Sequence, residues 1–277
     1  MERVSHSFQS GPFTLFSVFD LPDAVVRARA SGDPPPKVPA VILCHGFTGS
    51  HVEWRRMYAR LGERLARCGV ACFRFDHRGC GNSDGDFIDF TPTGMIEDLD
   101  AALEAFLGQP WLDRGRMAIV GYSLGGLTAS YILSKCAEFR TAVYWAPVAK
   151  PTTFRDRITQ LDESKNYRKL GYHDFAGFRV NRAYIDYVAE LTNPVQWVAG
   201  YPGPILFIHG ADDDIVRPEQ TDRYLATRGN ARDRKLLLAG ADHSFSTADN
   251  IDRILDESER WLADHLAAAT ADASANP

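Results

Sequence analysis

Met117-Ala118-Ile119-Val120-Gly121-Tyr122-Ser123-Leu124-Gly125-Gly126-Leu127 decides how this chain is read. Met117–Val120 is a short apolar run of the kind that forms a strand buried on both faces. Leu127, Tyr131 and Ile132 continue as a helical pattern. The residues between match G-x-S-x-G, and a strand before with a helix after is the setting a nucleophile elbow requires. Glycines at 121 and 125, with Gly126 beyond, relieve the crowding of so tight a turn and leave Ser123 exposed above a sheet.

Outward from this turn the same alternation repeats. Ala40–Cys44, Val70–Phe75, Ala142–Trp145, Ile205–Ile208 and Lys235–Leu238 are further apolar runs, as expected of parallel strands covered on both sides. Between them lie helical stripes: Trp54, Met57, Tyr58, Leu61 and Leu65; then Ile96, Leu99, Leu103 and Leu107; and near the end Ile251, Ile254, Leu255, Leu262 and Leu266. Strand and helix in this order imply a mostly parallel, doubly wound α/β sheet. An opening hairpin is expected around Phe13–Phe19, followed by Ala24–Ala30 and a Gly32-Asp33-Pro34-Pro35-Pro36 surface loop. The rhythm breaks between Pro147 and Pro204, a stretch rich in Arg, Tyr and Asp that reads as a partly helical cap with no buried strand. The expected division is therefore a core of residues 1–146 and 203–266, a cap of 147–202 inserted after the sixth strand, and a flexible tail of 267–277.

A serine hydroxyl needs a base, and the base needs an orienting carboxylate. In a fold of this kind the chain order is Ser, then Asp or Glu, then His. His243, in Gly240-Ala241-Asp242-His243-Ser244-Phe245, follows the last apolar strand and is the candidate base. His45, His77 and His209 also sit at strand ends, where a histidine more often holds a loop by hydrogen bonds. Asp212, Asp213 and Asp214 compete for the acid; the G-x-x-D spacing from Gly210 favours Asp213, with Ile215 and Val216 turning back into the core. A tetrahedral oxyanion needs two donors. The backbone amides of Leu124 and of Phe47, in His45-Gly46-Phe47, are the candidates.

Composition narrows the rest. With 31 Lys+Arg against 36 Asp+Glu, the net charge of −5 lacks the basic footprint of nucleic-acid binding. No apolar run is long enough to span a bilayer and the first residues form no apolar signal core, so a cytoplasmic protein without a membrane partner is expected. Five cysteines (Cys44, Cys68, Cys72, Cys80 and Cys136) lack zinc or redox spacing and read as buried free thiols. Gly79-x-Gly81 follows a strand, but the spacing to Gly85 is wrong for a dinucleotide loop. The chemistry requires neither metal nor other cofactor.

Leu43–Gly49, Asp76–Gly85, Gly121–Gly126, His209–Pro218 and Gly240–Phe245 stand in the order of the α/β-hydrolase superfamily, which the chain resembles over roughly residues 38–146 and 203–265. Through His45-Gly46-Phe47-Thr48, Ser83-Asp84-Gly85 and Ala241–Ser246 it most resembles the small bacterial cinnamoyl/feruloyl esterases and related carboxylesterases. The resemblance implies an α/β-hydrolase fold, a Ser123–Asp213–His243 triad and oxyanion donors at Phe47 and Leu124. It implies a serine carboxylesterase acting on small-molecule esters, short acyl or aryl, through an acyl-enzyme. The family's cap carries polar groups that grip a phenolic hydroxyl; Gln160 is a candidate counterpart, and the acidic partner has none. Tyr172, Phe178 and Tyr184, with Tyr167, Phe175 and Tyr187, either line an acyl pocket or pack onto the core. Rival readings are an aminopeptidase or amidase, an acyltransferase or carbon–carbon hydrolase on the same triad, and a non-catalytic binding module. A monomer or homodimer is expected.

Overall fold

The computed structural model describes residues 1–152, 170–191 and 193–267. Its centre is an eight-stranded sheet in the order β1-β2-β4-β3-β5-β6-β9-β10. The strands are β1 (Glu2–Ser10), β2 (Phe13–Leu21), β3 (Val38–Cys44), β4 (Ala71–Phe75), β5 (Leu112–Tyr122), β6 (Phe139–Trp145), β9 (Ile205–Gly210) and β10 (Arg234–Leu238). β1 pairs antiparallel with β2, and β2 antiparallel with β4; every other pairing is parallel.

The unbroken apolar runs are explained by two faces that both need covering. Along β3, Ala40, Ile42 and Cys44 face one core while Val41 and Leu43 face the other; Met117 and Ile119 alternate with Ala118 and Val120 in β5. The first core is closed by α3 (Pro92–Leu107) and α4 (Leu124–Lys135), the second by α2 (Met57–Arg67) and the helix Ala248–Leu266.

Several expectations shift at the edges. β1 joins the hairpin as an edge strand whose alternating half-burial leaves little apolar signal. Ala24–Ala30 lies within a helix, α1 (Asp23–Ser31). β10 is also an edge: Leu238 is buried but Leu237 is 48% exposed, so Lys235–Leu238 is not covered on both sides. In α3 the fully buried stripe is Met95, Leu99, Ala102 and Phe106, with Ile96, Leu103 and Leu107 only half-buried beside it. Trp54 does not join the α2 stripe but stands 57% exposed on the turn before it. Of the five free thiols Cys68 is exposed, donating to Glu259.

Between β6 and β9 the described residues form a small hairpin, β7 (Tyr172–Phe175) with β8 (Phe178–Asn181), and a helix, Arg182–Glu190. This departs from the strandless reading: the two strands are short and mostly half-buried, with only His173 and Val180 buried, so no apolar run marks them in the sequence. The hairpin is tied down by Asn181, which donates to the Ile88 carbonyl at 3.0 Å. Gln160 and the expected tail beyond residue 267 lie outside the described residues. Among those residues, no helix is long and apolar enough to cross a membrane.

Candidate active site

Ser123 sits between the last residue of β5 and the first of α4, with φ 56° and ψ −116°. An L-residue rarely holds that backbone, and here its surroundings enforce it. The Ser123 amide donates to the Trp145 carbonyl at 2.8 Å, and its carbonyl accepts from Gly126 and Val148. The flanking glycines are required by close approach. A Cβ at Gly121 would overlap the Gly125 backbone, and one at Gly125 would overlap the Cys44 carbonyl. Gly125→Ala is therefore expected to destabilise the protein by ~3 kcal/mol, since backbone would have to yield to backbone. The midpoint of urea unfolding measures this, and an unchanged midpoint would show that the elbow can move away from β3.

The acid and the base are brought together by backbone bonds between the loops after β9 and β10. Ala211 donates to Leu238 and Asp212 to Ala241, at 2.8 and 3.0 Å. That zipper sets His243 Nδ1 2.7 Å from Asp213 Oδ2, while His243 Nε2 lies 3.0 Å from Ser123 Oγ, across 120 positions of chain. The Tyr122 ring stacks on the imidazole at 5.4 Å, and its hydroxyl donates to the His243 carbonyl. All three side chains are nearly buried.

Of the three consecutive aspartates, only Asp213 turns inward; Asp212 and Asp214 are exposed. Asp213 Oδ1 accepts from the amides of Ile215 and Val216 at 2.9 and 2.8 Å. His209 Nε2 lies 3.2 Å from Oδ2, and also donates to the Val216 carbonyl at 2.6 Å. Burial acts to raise the Asp213 carboxyl, but hydrogen bonds from His209 and His243 outweigh it and hold it at about 2. Asp213 is thus an anion able to fix the His243 tautomer and balance an imidazolium. Val216 turns into the core as expected; Ile215 instead borders the cavity.

A cavity of about 580 Å³ opens over Ser123 and His243. Phe47, Cys80, Phe175, Phe178 and Ile215 form much of its wall. Phe178, one of the aromatic candidates, lines this cavity. Tyr184 does not border the cavity: it is fully buried behind Phe47, the rings stacked at 5.5 Å. Tyr172 is likewise absent from the wall and lies under the Arg179 guanidinium.

The Phe47 segment is held from both sides. His45 Nδ1 donates to the Gly46 carbonyl at 2.8 Å, and His45 Nε2 accepts from the His77 amide at 3.1 Å. Burial presses the His45 imidazole down to about 4, so it stays neutral in this tautomer. Leu124, as the first residue of α4, has an amide with no carbonyl of its own helix to meet. His209 and His77 also bond to loops and neighbours, the role expected of strand-end histidines. Among the described residues, no group of His, Cys, Asp and Glu side chains is arranged to hold a metal ion.

One residue of the cavity wall escaped sequence reading. Glu53 is 8% exposed, and its carboxyl accepts from the Gly46 amide at 2.6 Å and the Trp54 amide at 3.1 Å. Burial pushes it up to about 7, against the pull of those two amides. A carboxyl raised on folding contributes stability that is full below its unfolded value near 4.5 and is lost as pH rises through about 7. Wild type should therefore lose up to ~3 kcal/mol relative to Glu53→Gln between pH 4.5 and 8. Parallel urea titrations check this, and parallel curves would contradict it.

A mostly parallel sheet entered by an antiparallel hairpin carries Ser123, Asp213 and His243 on the turns after β5, β9 and β10. The fold superposes on the solved structure of Est1E from Butyrivibrio proteoclasticus with bound ferulic acid with a TM-score of 0.78, covering 95% of this chain and all of that one at 20% identity. The chain has the α/β-hydrolase fold. Residues 35–164 match the family model described as Serine aminopeptidase, S33. An uncharacterized protein of Mycobacterium tuberculosis is 28% identical over 206 residues, 74% of this chain. The chain spans 63% of that protein's length. An uncharacterized peptidase of Bacillus subtilis, YuxL, is 23% identical over 82% of this chain and 35% of its own length.

Proposed function

We propose that this α/β-hydrolase is a serine carboxylesterase acting on small-molecule esters with short acyl or aryl acyl groups. The observation that carries the reading is the hydrogen-bonded line from Asp213 through His243 to Ser123 at the floor of an aromatic-walled cavity. His243 Nε2 takes the proton of Ser123 Oγ as the oxygen attacks the ester carbonyl, and Asp213 balances the imidazolium. The amides of Leu124 and Phe47 receive the oxyanion. The alcohol leaves with the proton from His243, and a water activated by the same imidazole releases the acid. No step needs a cofactor or a second macromolecule.

Phe47, Phe175 and Phe178 offer an apolar aromatic wall that suits an aryl or short aliphatic acyl group better than a charged one. The ferulic acid held by Est1E supports an aryl acyl group as one arm of the test.

An aminopeptidase is the second reading, favoured by the match to the S33 family model. It needs an acid to hold the substrate amine. The cap acids Asp156, Asp162 and Glu163 lie outside the described residues and Asp174 does not border the cavity; Glu53, the acid in the described cavity wall, already serves backbone amides with both oxygens. Purified protein assayed on p-nitrophenyl esters from acetate to octanoate, on methyl ferulate and on aminoacyl anilides decides between them. Turnover of esters at least ~10²-fold above anilides is expected. Preference for the anilides would replace the reading with the peptidase.

A further inference from the structure

Glu53 stands outside the proton path from Asp213 to Ser123, yet it is buried at the wall of the same cavity. It sits where the backbone is unusually bent. Glu53, Arg55 and Arg56 hold φ values of 58°, 51° and 62°, so three of four consecutive residues occupy a region that L-residues avoid. Such a run persists only where surrounding contacts over-determine it, and it clusters at functional sites. The contact that organises this run is the Glu53 carboxyl, which caps the Trp54 amide with one oxygen and reaches back to the Gly46 amide with the other. The chain closes around it: a Cβ at Gly49 would collide with Oε1, and Gly49 itself donates to the Gly46 carbonyl at 3.1 Å.

Gly46 is thereby clamped on both of its polar groups. Its carbonyl, part of the same planar peptide as the Phe47 amide, is held by His45; its amide is held by Glu53. A glycine has the widest choice of φ and ψ of any residue, so without the second clamp the peptide that follows can swing.

We propose that Glu53 is a positioning residue for acyl transfer, holding the Gly46 amide so that the next peptide presents the Phe47 N–H to the reacting carbonyl oxygen. This rests on the serine-hydrolase reading of Ser123 and adds a group that the triad and its oxyanion donors do not include. Other titratable side chains interact electrostatically with Glu53: Asp76 beyond β4, Tyr58 on α2, Tyr122 at the end of β5 and Cys80 in the cavity wall. None of them supplies a donor to its oxygens, so among the described residues its hydrogen-bond partners are the two backbone amides.

The test compares wild type, Glu53→Ala, Glu53→Asp and Glu53→Gln. It uses p-nitrophenyl butyrate turnover and, independently of substrate choice, the rate of Ser123 labelling by a fluorophosphonate. An oxyanion donor that loses its aim should cost on the order of 10² in kcat with KM changed less than about threefold. Glu53→Ala should show this, and so should Glu53→Asp, whose shorter side chain withdraws from Gly46. Glu53→Asp carries the test if the alanine variant does not fold. Glu53→Gln retains an oxygen acceptor for Gly46 and should recover to within about fivefold of wild type. A folded alanine or aspartate variant with wild-type kcat and labelling overturns the proposal. So does a loss confined to KM, or a glutamine variant as slow as alanine. Wild-type protein that neither turns over esters nor labels at Ser123 refutes the serine-hydrolase reading instead. Labelling without ester turnover leaves the labelling rates of the four proteins to decide the role of Glu53.

Discussion

Ser123→Ala will leave the protein folded and lower ester turnover by roughly 10⁴-fold or more. The strain at position 123 belongs to the backbone, and serine and alanine share the same Cβ, so the substitution adds none. Among the described residues the hydroxyl has one side-chain partner, His243 Nε2, and a histidine beside an open cavity can hydrogen-bond water in its place. The melting temperature should stay within about 3 °C of wild type. Fluorophosphonate labelling should vanish together with turnover. Near-wild-type hydrolysis by the variant would transfer the nucleophile elsewhere, and a collapse of the fold would make the activity loss uninformative.

Asp213→Asn will lower kcat by about 10⁴-fold, whereas Asp212→Asn and Asp214→Asn will change it less than about twofold. The asymmetry follows from what each oxygen of Asp213 meets. Oδ1 accepts from the amides of Ile215 and Val216, so the asparagine oxygen will take that side. Its NH₂ then faces His243 Nδ1, where the carboxylate oxygen stood at 2.7 Å. A donor there forces Nδ1 to accept and puts the ring proton on Nε2, where it cannot receive the proton of Ser123. The same NH₂ meets the Nε2–H of His209, so a modest loss of stability should accompany the loss of rate. Asp212 and Asp214 are exposed and solvated. A larger loss at either neighbour would overturn the assignment.

How much of this was legible depended on whether the signal was local. The elbow was, because strand, glycines, serine and helix are adjacent in the chain and each has its own steric signature. So were the two-faced strands β3 and β5, whose neighbouring residues serve opposite cores. Edges were harder. β10 has the composition of a covered strand, but Leu237, on the face opposite Leu236 and Leu238, stays 48% exposed where the sheet ends. Trp54 fits a helical stripe in spacing, yet the left-handed residues Arg55 and Arg56 start the helix only at Met57 and turn the indole outward. Tyr184 was grouped with Phe178 by composition; packing put one behind Phe47 and the other on the cavity wall.

Glu53 marks the limit most clearly. In Ser50-His51-Val52-Glu53-Trp54-Arg55-Arg56 no motif or spacing singles out the acid. Its depth arises because the loop after β3 folds back over its carboxyl, a closure that no periodicity encodes. The residue types and their order along the chain sufficed for the α/β architecture, the nucleophile turn and the choice of His243, since those rest on short-range sterics and on one-dimensional order. Spacing from Gly210 favours Asp213 among three adjacent acids, and the structure brings that one to the imidazole; tertiary structure alone decided that Glu53 is buried against Gly46 and which aromatic rings face the cavity. Each of those depends on how separate loops converge at the carboxyl ends of parallel strands, and that convergence is set by the order and pairing of the whole sheet.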